Sequence, residues 1–117
     1  MALNSNGFAD RLDLEEHFDF HVDERKEFPH ITTEEEYEEA ADRFLTEPRI
    51  SSKCHECYRQ KPDGTEGDMI RYNKQTGEFG VLSSENIIRT YFIVDIECHG
   101  KDSNYLYFKS ECDKVSS

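Results

Sequence analysis

Apolar residues near the N-terminus recur with the period of a helix. Leu14, His17, Phe18 and His21 are spaced i, i+3, i+4 and i+7, which places them on one face of a helix over about residues 11–21. The spacing therefore predicts a first helix whose two histidines point in the same direction.

A second helix is predicted after Pro29, over the segment TTEEEYEEAADRFL. Thr32 and Thr33 are each followed three residues later by a glutamate, which is the signature of a capping box. The acids of the first turn suit the positive end of the helix dipole, and the others cover an exposed face. The predicted apolar stripe consists of Tyr37, Ala41, Phe44 and Leu45.

Later segments have the pattern of strands. They are residues 68–73, 78–82 and 87–94, and a fourth strand is predicted at 105–109. The short turn at 73–77 makes the first two strands antiparallel neighbours, whereas the polar stretch up to Gly67 is interpreted as a connection. We therefore expect an α+β fold in which two N-terminal helices pack on a small four-stranded antiparallel sheet, as a single domain over residues 1–117.

Composition and charge narrow the class of protein. The 117 residues are 35% hydrophobic and 34% charged, and no apolar run is long enough to cross a membrane. The N-terminus lacks the pattern of a signal peptide, so we expect a soluble, cytoplasmic protein without a membrane partner.

The net charge is −12, but residues 1–50 hold 15 acids and 5 bases, whereas residues 51–117 hold 11 acids and 9 bases. The nearly neutral second half has room for a locally positive site.

The histidine pair and an arginine are candidates for chemistry. His17 and His21 can bind a metal, exchange protons, or be ordinary polar residues of the helix; a third metal ligand at helical spacing is missing. Arg89 lies within an apolar strand, where its guanidinium needs a carboxylate of the protein or a phosphate of a substrate. Alternation along this strand does not assign its core face. Arg71 adds positive potential nearby.

Four cysteines suggest a metal site. A C-x-x-C motif and two distant thiols suit a closed tetrahedral zinc, in which His55 or His99 could replace one sulfur. Unligated thiols and disulfides are the other two interpretations. In a reducing compartment we expect one structural zinc that attaches the 51–66 loop to the sheet edge. The predicted ligands are Cys54, Cys57, Cys98 and Cys112.

The chain also resembles a known family over about residues 12–110. The matching segments, in order, are His17-x-x-x-His21, Glu27-Phe28, Thr33-x-x-x-Tyr37-x-x-x-Ala41-x-x-Phe44-Leu45, Ile70-Arg71-Tyr72-Asn73, Thr76-Gly77-Glu78-Phe79-Gly80-Val81 and Ile88-Arg89-Thr90-Tyr91-Phe92. They are similar to segments of the C-terminal nuclease domains of bacterial polymorphic and phage-borne toxins, which belong to the broad barnase, EndoU, colicin and RelE-like RNase fold. The most specific part is the run RYN-x-x-TGEFGVL followed by IRTYF.

This resemblance implies a metal-independent endoribonuclease that cleaves RNA, with tRNA as one candidate, by attack of the 2′-hydroxyl on the adjacent phosphorus. It implies that His17 and His21 are catalytic and that Arg89 and Thr90 contact the scissile phosphate. Two histidines and an arginine supply the base, acid and cation that the reaction needs without a catalytic metal. The candidate RNA-binding residues are Arg71, Tyr91 and Tyr107, the tyrosines by stacking on bases. The expected partners are RNA and a cognate immunity protein.

Two other functions compete with this one. A zinc-stapled acidic interaction protein would use its negative charge to mimic nucleic acid and occupy, or inhibit, a basic groove of another protein. A hydrolase with a catalytic zinc at His17, His21 and a cysteine is the third hypothesis.

Overall fold

The computed structural model describes residues 3–48, 54–94 and 103–115. In chain order its elements are helix α1 (Arg11–Phe18), a π-helical segment (Asp19–Glu24), helix α2 (Glu34–Thr46), strands β1 (Cys54–Gln60), β2 (Glu66–Asn73), β3 (Glu78–Leu82) and β4 (Ile88–Ile93), and helix α3 (Asn104–Cys112). The strands form one antiparallel sheet in the order β1-β2-β3-β4. The fold is α+β with a four-stranded antiparallel sheet, as predicted. None of the helices in these ranges is long and apolar enough to span a bilayer.

The first helix begins at a side-chain cap and changes its winding near the histidines. Asp10 accepts a hydrogen bond from the backbone N–H of Asp13, and Leu14 and Phe18 are buried. The helix then continues directly into the π-helical segment, in which His21 and Val22 are buried. A short π-helical stretch within a helix is frequent at functional sites.

Helix α2 is confirmed almost residue for residue. Thr33 and Glu36 form the reciprocal capping box, and the acids of the first turn follow it. Tyr37, Ala41 and Leu45 of the predicted stripe are fully buried. Local signals were sufficient here because the cap and the apolar stripe are encoded within one stretch of fourteen residues.

The predicted fourth strand at 105–109 is wrong, because these residues lie in α3. Ser103 caps that helix by accepting a hydrogen bond from the N–H of Leu106, and a cap of this kind favours a helix over an extended chain. The additional strand of the sheet is β1, which precedes the three predicted strands in the chain and lies within the stretch interpreted as a polar connection. Pairing with β2 makes β1 a strand despite its polar sequence, since strand formation depends on neighbours more than on propensity.

Both faces of the sheet are covered, which explains why alternation assigned no core face to β4. One apolar cluster joins the sheet residues Met69, Ile88 and Tyr91 to the buried side chains of α1 and α2. The opposite cluster contains Ile70, Tyr72, Phe79, Val81, Val94 and, from α3, Phe108. Helix α2 contacts β3 and β4, α1 contacts α2, and α3 contacts β1 and β2. The helices are therefore on both sides of the sheet, not on one.

Candidate active site

The two predicted catalytic histidines lie side by side where α1 passes into the π-helical segment. Their ring centroids are 5.8 Å apart and the rings are nearly parallel. Phe8 lies 5.3 Å from His17 on one side, and Phe92 of β4 lies 5.2 Å from His21 on the other. The four rings form a column that ends at the edge strand of the sheet, and close packing of this kind restricts rotation of the imidazoles.

Glu27 contacts the inner histidine. Its Oε2 atom lies 3.1 Å from Nδ1 of His21, and its other oxygen, Oε1, accepts a 2.7 Å hydrogen bond from the backbone N–H of Ile93. Arg25 approaches the same carboxylate at 3.6 Å. His21 is only 9% exposed, so this polar contact satisfies a ring nitrogen that would otherwise be buried in an apolar setting.

The outer histidine is more accessible. Its Nε2 atom lies 3.5 Å from Oδ1 of Asp13, one turn earlier on α1. Burial lowers the pKa of His17 below its usual value of about 6.5, because desolvation outweighs the attraction of Asp13, and the neighbouring His21 acts in the same direction as burial. Its environment therefore favours the neutral form of the His17 ring.

An open cleft of about 210 Å³ exposes the histidine pair. Its lining consists of Glu16, His17, Phe20 and His21. Phe20 is 48% exposed, which is unusual for a phenylalanine, and its ring meets that of His21 edge-on. The cleft thus combines two imidazoles, a carboxylate and an exposed aromatic face, which are groups that can move protons and stack on a planar ligand.

Arg89 lies on a neighbouring cleft, not on the one that holds the histidines. Its Nε donates a 3.0 Å hydrogen bond to Oδ1 of the buried Asp68, while 43% of its side chain remains exposed. The cleft is about 460 Å³ in volume, and Asp10, Asp13 and Lys61 also line it. Asp13 connects the two clefts, since it lines this one and contacts His17. Of the two alternatives for Arg89, a protein carboxylate is the one observed.

The remaining predicted phosphate and RNA contacts lie elsewhere. Thr90 is half-buried and pairs with Val81 in the sheet. Arg71 donates to Glu56 and to backbone carbonyls at the end of α2, contacts that account for it without RNA.

The two tyrosines predicted to stack on bases are packed against the protein. Tyr91 is 3% exposed, donates its hydroxyl to Glu78 and has a pKa raised by burial. Tyr107 packs on Phe79, and burial raises its pKa to about 12. The exposed Phe20, which the sequence did not single out, is better placed for stacking.

The cysteines are arranged differently from the predicted zinc site. Cys57 of β1 and Cys112 of α3 form a disulfide, and Cys54 is a buried thiol. Cys98 and His99 lie outside the described residues. A disulfide sulfur is not a thiolate ligand, so a four-cysteine zinc site requires the reduced protein and stays a prediction for that state. Among the described residues, no three histidine, cysteine, aspartate or glutamate side chains are grouped to hold a metal.

Three contacts of the predicted site residues were missed from the sequence: those of Asp13 with His17, Glu27 with His21, and Asp68 with Arg89. Asp13 carried a usable signal, because it lies at i−4 from His17 on the predicted helix. Glu27 belongs to the Glu27-Phe28 segment of the family resemblance, but nothing in that segment indicated a contact with His21, which it reaches through a turn. Asp68 carried no signal, since it reaches its partner across strands. Asp68 is 21 residues from Arg89 in the chain.

Comparison with known proteins adds no relative from which a role could be taken. No protein-family model matches the chain, and no curated protein is significantly similar to it. The geometry of the histidine cleft and the motif resemblance are thus the two grounds for a functional assignment.

Proposed function

We propose that this protein is a metal-independent endoribonuclease in which His17 and His21 act as the general base and general acid. The observation that carries the proposal is the stacked histidine pair, braced by Glu27 and Phe92 and open to solvent through one cleft. Two imidazoles held in parallel beside an open surface suit a reaction that needs one proton removed and one delivered. The resemblance to toxin nuclease domains points to the same chemistry.

The proposed reaction needs no metal-bound water. The 2′-hydroxyl of the substrate loses its proton to one histidine and attacks the adjacent phosphorus, while the 5′-oxygen leaves and takes a proton from the other. A new P–O bond forms as the old one breaks, so the products are a 2′,3′-cyclic phosphate and a free 5′-hydroxyl. The phosphoryl oxygens carry the charge in the transition state, and a nearby cation lowers the barrier.

Arg89 is the proposed cation. Its contact with Asp68 determines which part of the guanidinium is left to bind a phosphate of the RNA. Asp68 holds Nε, and the exposed part of the guanidinium remains for a phosphate on the surface of the cleft. A guanidinium has five donors in a planar fork, so one carboxylate contact leaves donors for a second anion. A backbone that crosses from the Phe20 cleft past Asp13 would bring a phosphate toward Arg89.

Activity measurements with single substitutions test the proposal. The protein should cleave RNA in EDTA and leave 2′,3′-cyclic phosphate ends, and His17→Ala or His21→Ala should lower the rate by roughly 10²- to 10⁴-fold. His30→Ala is the matched control, because His30 is exposed on the loop before α2. Cleavage that requires an added divalent metal would favour the zinc hydrolase, and equal rates for all variants would contradict the assignment of the site. Circular dichroism of each variant separates lost chemistry from lost folding.

A second candidate function is an acidic interaction protein that mimics nucleic acid, because much of the positive charge is neutralised internally. Five arginines of the described ranges lie within 4 Å of a carboxylate: Arg11, Arg25, Arg59, Arg71 and Arg89. The net charge of −12 then gives a predominantly negative surface. RNA affinity no greater than that of an equally acidic control protein, together with no cleavage, would favour this function. The cognate immunity protein remains part of the nuclease proposal only.

A further inference from the structure

We propose that Glu27 is a positioning residue that fixes His21 in the tautomer with a free electron pair on Nε2, and so makes His21 the base of the pair. The structural part of this proposal concerns only the proton on the ring. Its catalytic part rests on the proposed ribonuclease function.

The carboxylate is held by two different elements. Oε2 lies 3.1 Å from Nδ1 of His21, and Oε1 accepts from the N–H of Ile93 at 2.7 Å. The Glu27 side chain is 9% exposed and that of His21 is 11% exposed, so water competes little for these contacts. One carboxylate therefore connects the histidine to β4, the strand that carries Arg89 and Thr90.

The backbone around Glu27 supports the same geometry. The N–H of Glu27 donates to the carbonyl of His21 at 3.0 Å, which closes the chain tightly after the π-helical segment. Lys26 has a φ of 54°, in the left-handed region that a residue with a side chain rarely adopts. Strain of this kind persists only where surrounding contacts determine it, and here it presents Glu27 to His21.

The position of the proton on the His21 ring follows from the chemistry of Glu27. An ionised carboxylate has no hydrogen to donate, so Nδ1 must carry one, and in the neutral imidazole Nε2 is then the acceptor. Rotation of the ring by 180° would place Cδ2 where Nδ1 lies and break the contact with Glu27, but the ring is stacked between His17 and Phe92. A histidine oriented by a carboxylate in this way has its acceptor nitrogen directed away from that carboxylate, as a general base requires.

NMR of the ¹⁵N-labelled full chain tests the tautomer directly. Long-range ¹H–¹⁵N spectra of the neutral ring should show a protonated Nδ1 and an unprotonated Nε2 for His21. In Glu27→Gln the amide can donate to Nδ1, so we expect the proton to move to Nε2 in a substantial fraction of molecules. Glu24→Gln removes the same charge at an exposed position three residues earlier and should leave the tautomer unchanged.

Kinetics with RNA test the catalytic part. Glu27→Gln should lower kcat at least about tenfold while KM stays within about threefold, because the orientation of a base matters mainly in the transition state. Glu24→Gln should cleave RNA at the parent rate.

The outcomes separate this proposal from the proposed function. A parent His21 with its proton on Nε2, or a tautomer unaffected by Glu27→Gln, would overturn the positioning role. A tautomer that moves as expected in a parent that cuts no RNA would support the positioning and contradict the nuclease. If Glu27→Gln does not fold, the tautomer of the parent and that of Glu27→Asp, whose shorter side chain contacts Nδ1 less closely, decide the question.

Discussion

At the scale of single residues, His17 shows how burial and charge oppose each other. Its ring is packed against Phe8 and His21, and both desolvation and the second imidazole disfavour a positive charge there. Asp13 and Glu16 favour the charge but do not compensate for burial. The folded protein therefore binds a proton at His17 less readily than the unfolded chain does, which links this residue to stability.

His17 should make the fold less stable in acid. Its pKa is depressed in the folded state, so as the pH falls below about 6.5 the unfolded chain takes up the proton first and the free energy of unfolding decreases. The decrease is at most about 1.4 kcal/mol per pH unit for one group, and it ends below the folded pKa. Urea midpoints at pH 7.5 and 5.5 should differ less in His17→Gln than in the parent. His30→Gln is the control, and identical pH dependence in all three proteins would contradict the prediction.

At the scale of elements, one glycine determines how closely α2 approaches the sheet. A Cβ atom at Gly80 of β3 would lie 2.9 Å from Cδ2 of Leu45, 3.2 Å from its Cγ and 3.3 Å from its Cδ1. Leu45 is 1% exposed, so its side chain is packed among its neighbours. A side chain at position 80 would therefore require Leu45 to shift.

Gly80→Ala should destabilise the fold by about 1–3 kcal/mol through overpacking. In a Leu45→Ala background the same substitution should cost much less, because the added methyl group enters space that the leucine has left. Chemical denaturation of the two single variants and the double variant measures this coupling energy. Additive effects would show that the two side chains do not compete for one volume.

At the scale of the whole molecule, α3 covers the second face of the sheet and has covalent and ionic contacts near its C-terminal end. The disulfide joins Cys112 to Cys57, and Arg59 donates both to the backbone carbonyl and to the side chain of Glu111. Asp68 accepts hydrogen bonds from both Arg59 and Arg89. The network of charged side chains therefore extends from α3 to Arg89, the candidate phosphate-binding residue. The position of a nine-residue helix thus depends on covalent and ionic contacts as well as on Phe108.

Reduction should weaken the fold and test the zinc prediction at the same time. The disulfide closes a loop of 55 residues, and its loss should cost about 4 kcal/mol by the chain-entropy relation. A reductant should therefore lower the urea midpoint of the parent but not that of Cys57→Ser/Cys112→Ser. Zinc added to the reduced parent should restore stability, with one metal per chain, if the four predicted cysteines bind it. No effect of reductant on the parent would show that the disulfide contributes nothing to stability.

The sequence alone determined those parts of the protein whose causes are local. Helix α2 follows from a cap and a stripe within one segment, strands β2 to β4 from alternation and a short turn, and the neighbouring histidines from i, i+4 spacing. Only the tertiary structure decided the assignment of β1 and α3, because an edge strand is stabilised by its partner strand and a short helix by the face on which it packs. The partners of the site were decided in the same way: Glu27 reaches His21 through a strained turn, and Asp68 meets Arg89 across the sheet. Contacts between residues distant in sequence leave no periodic trace in it, since their spacing depends on how the intervening chain folds.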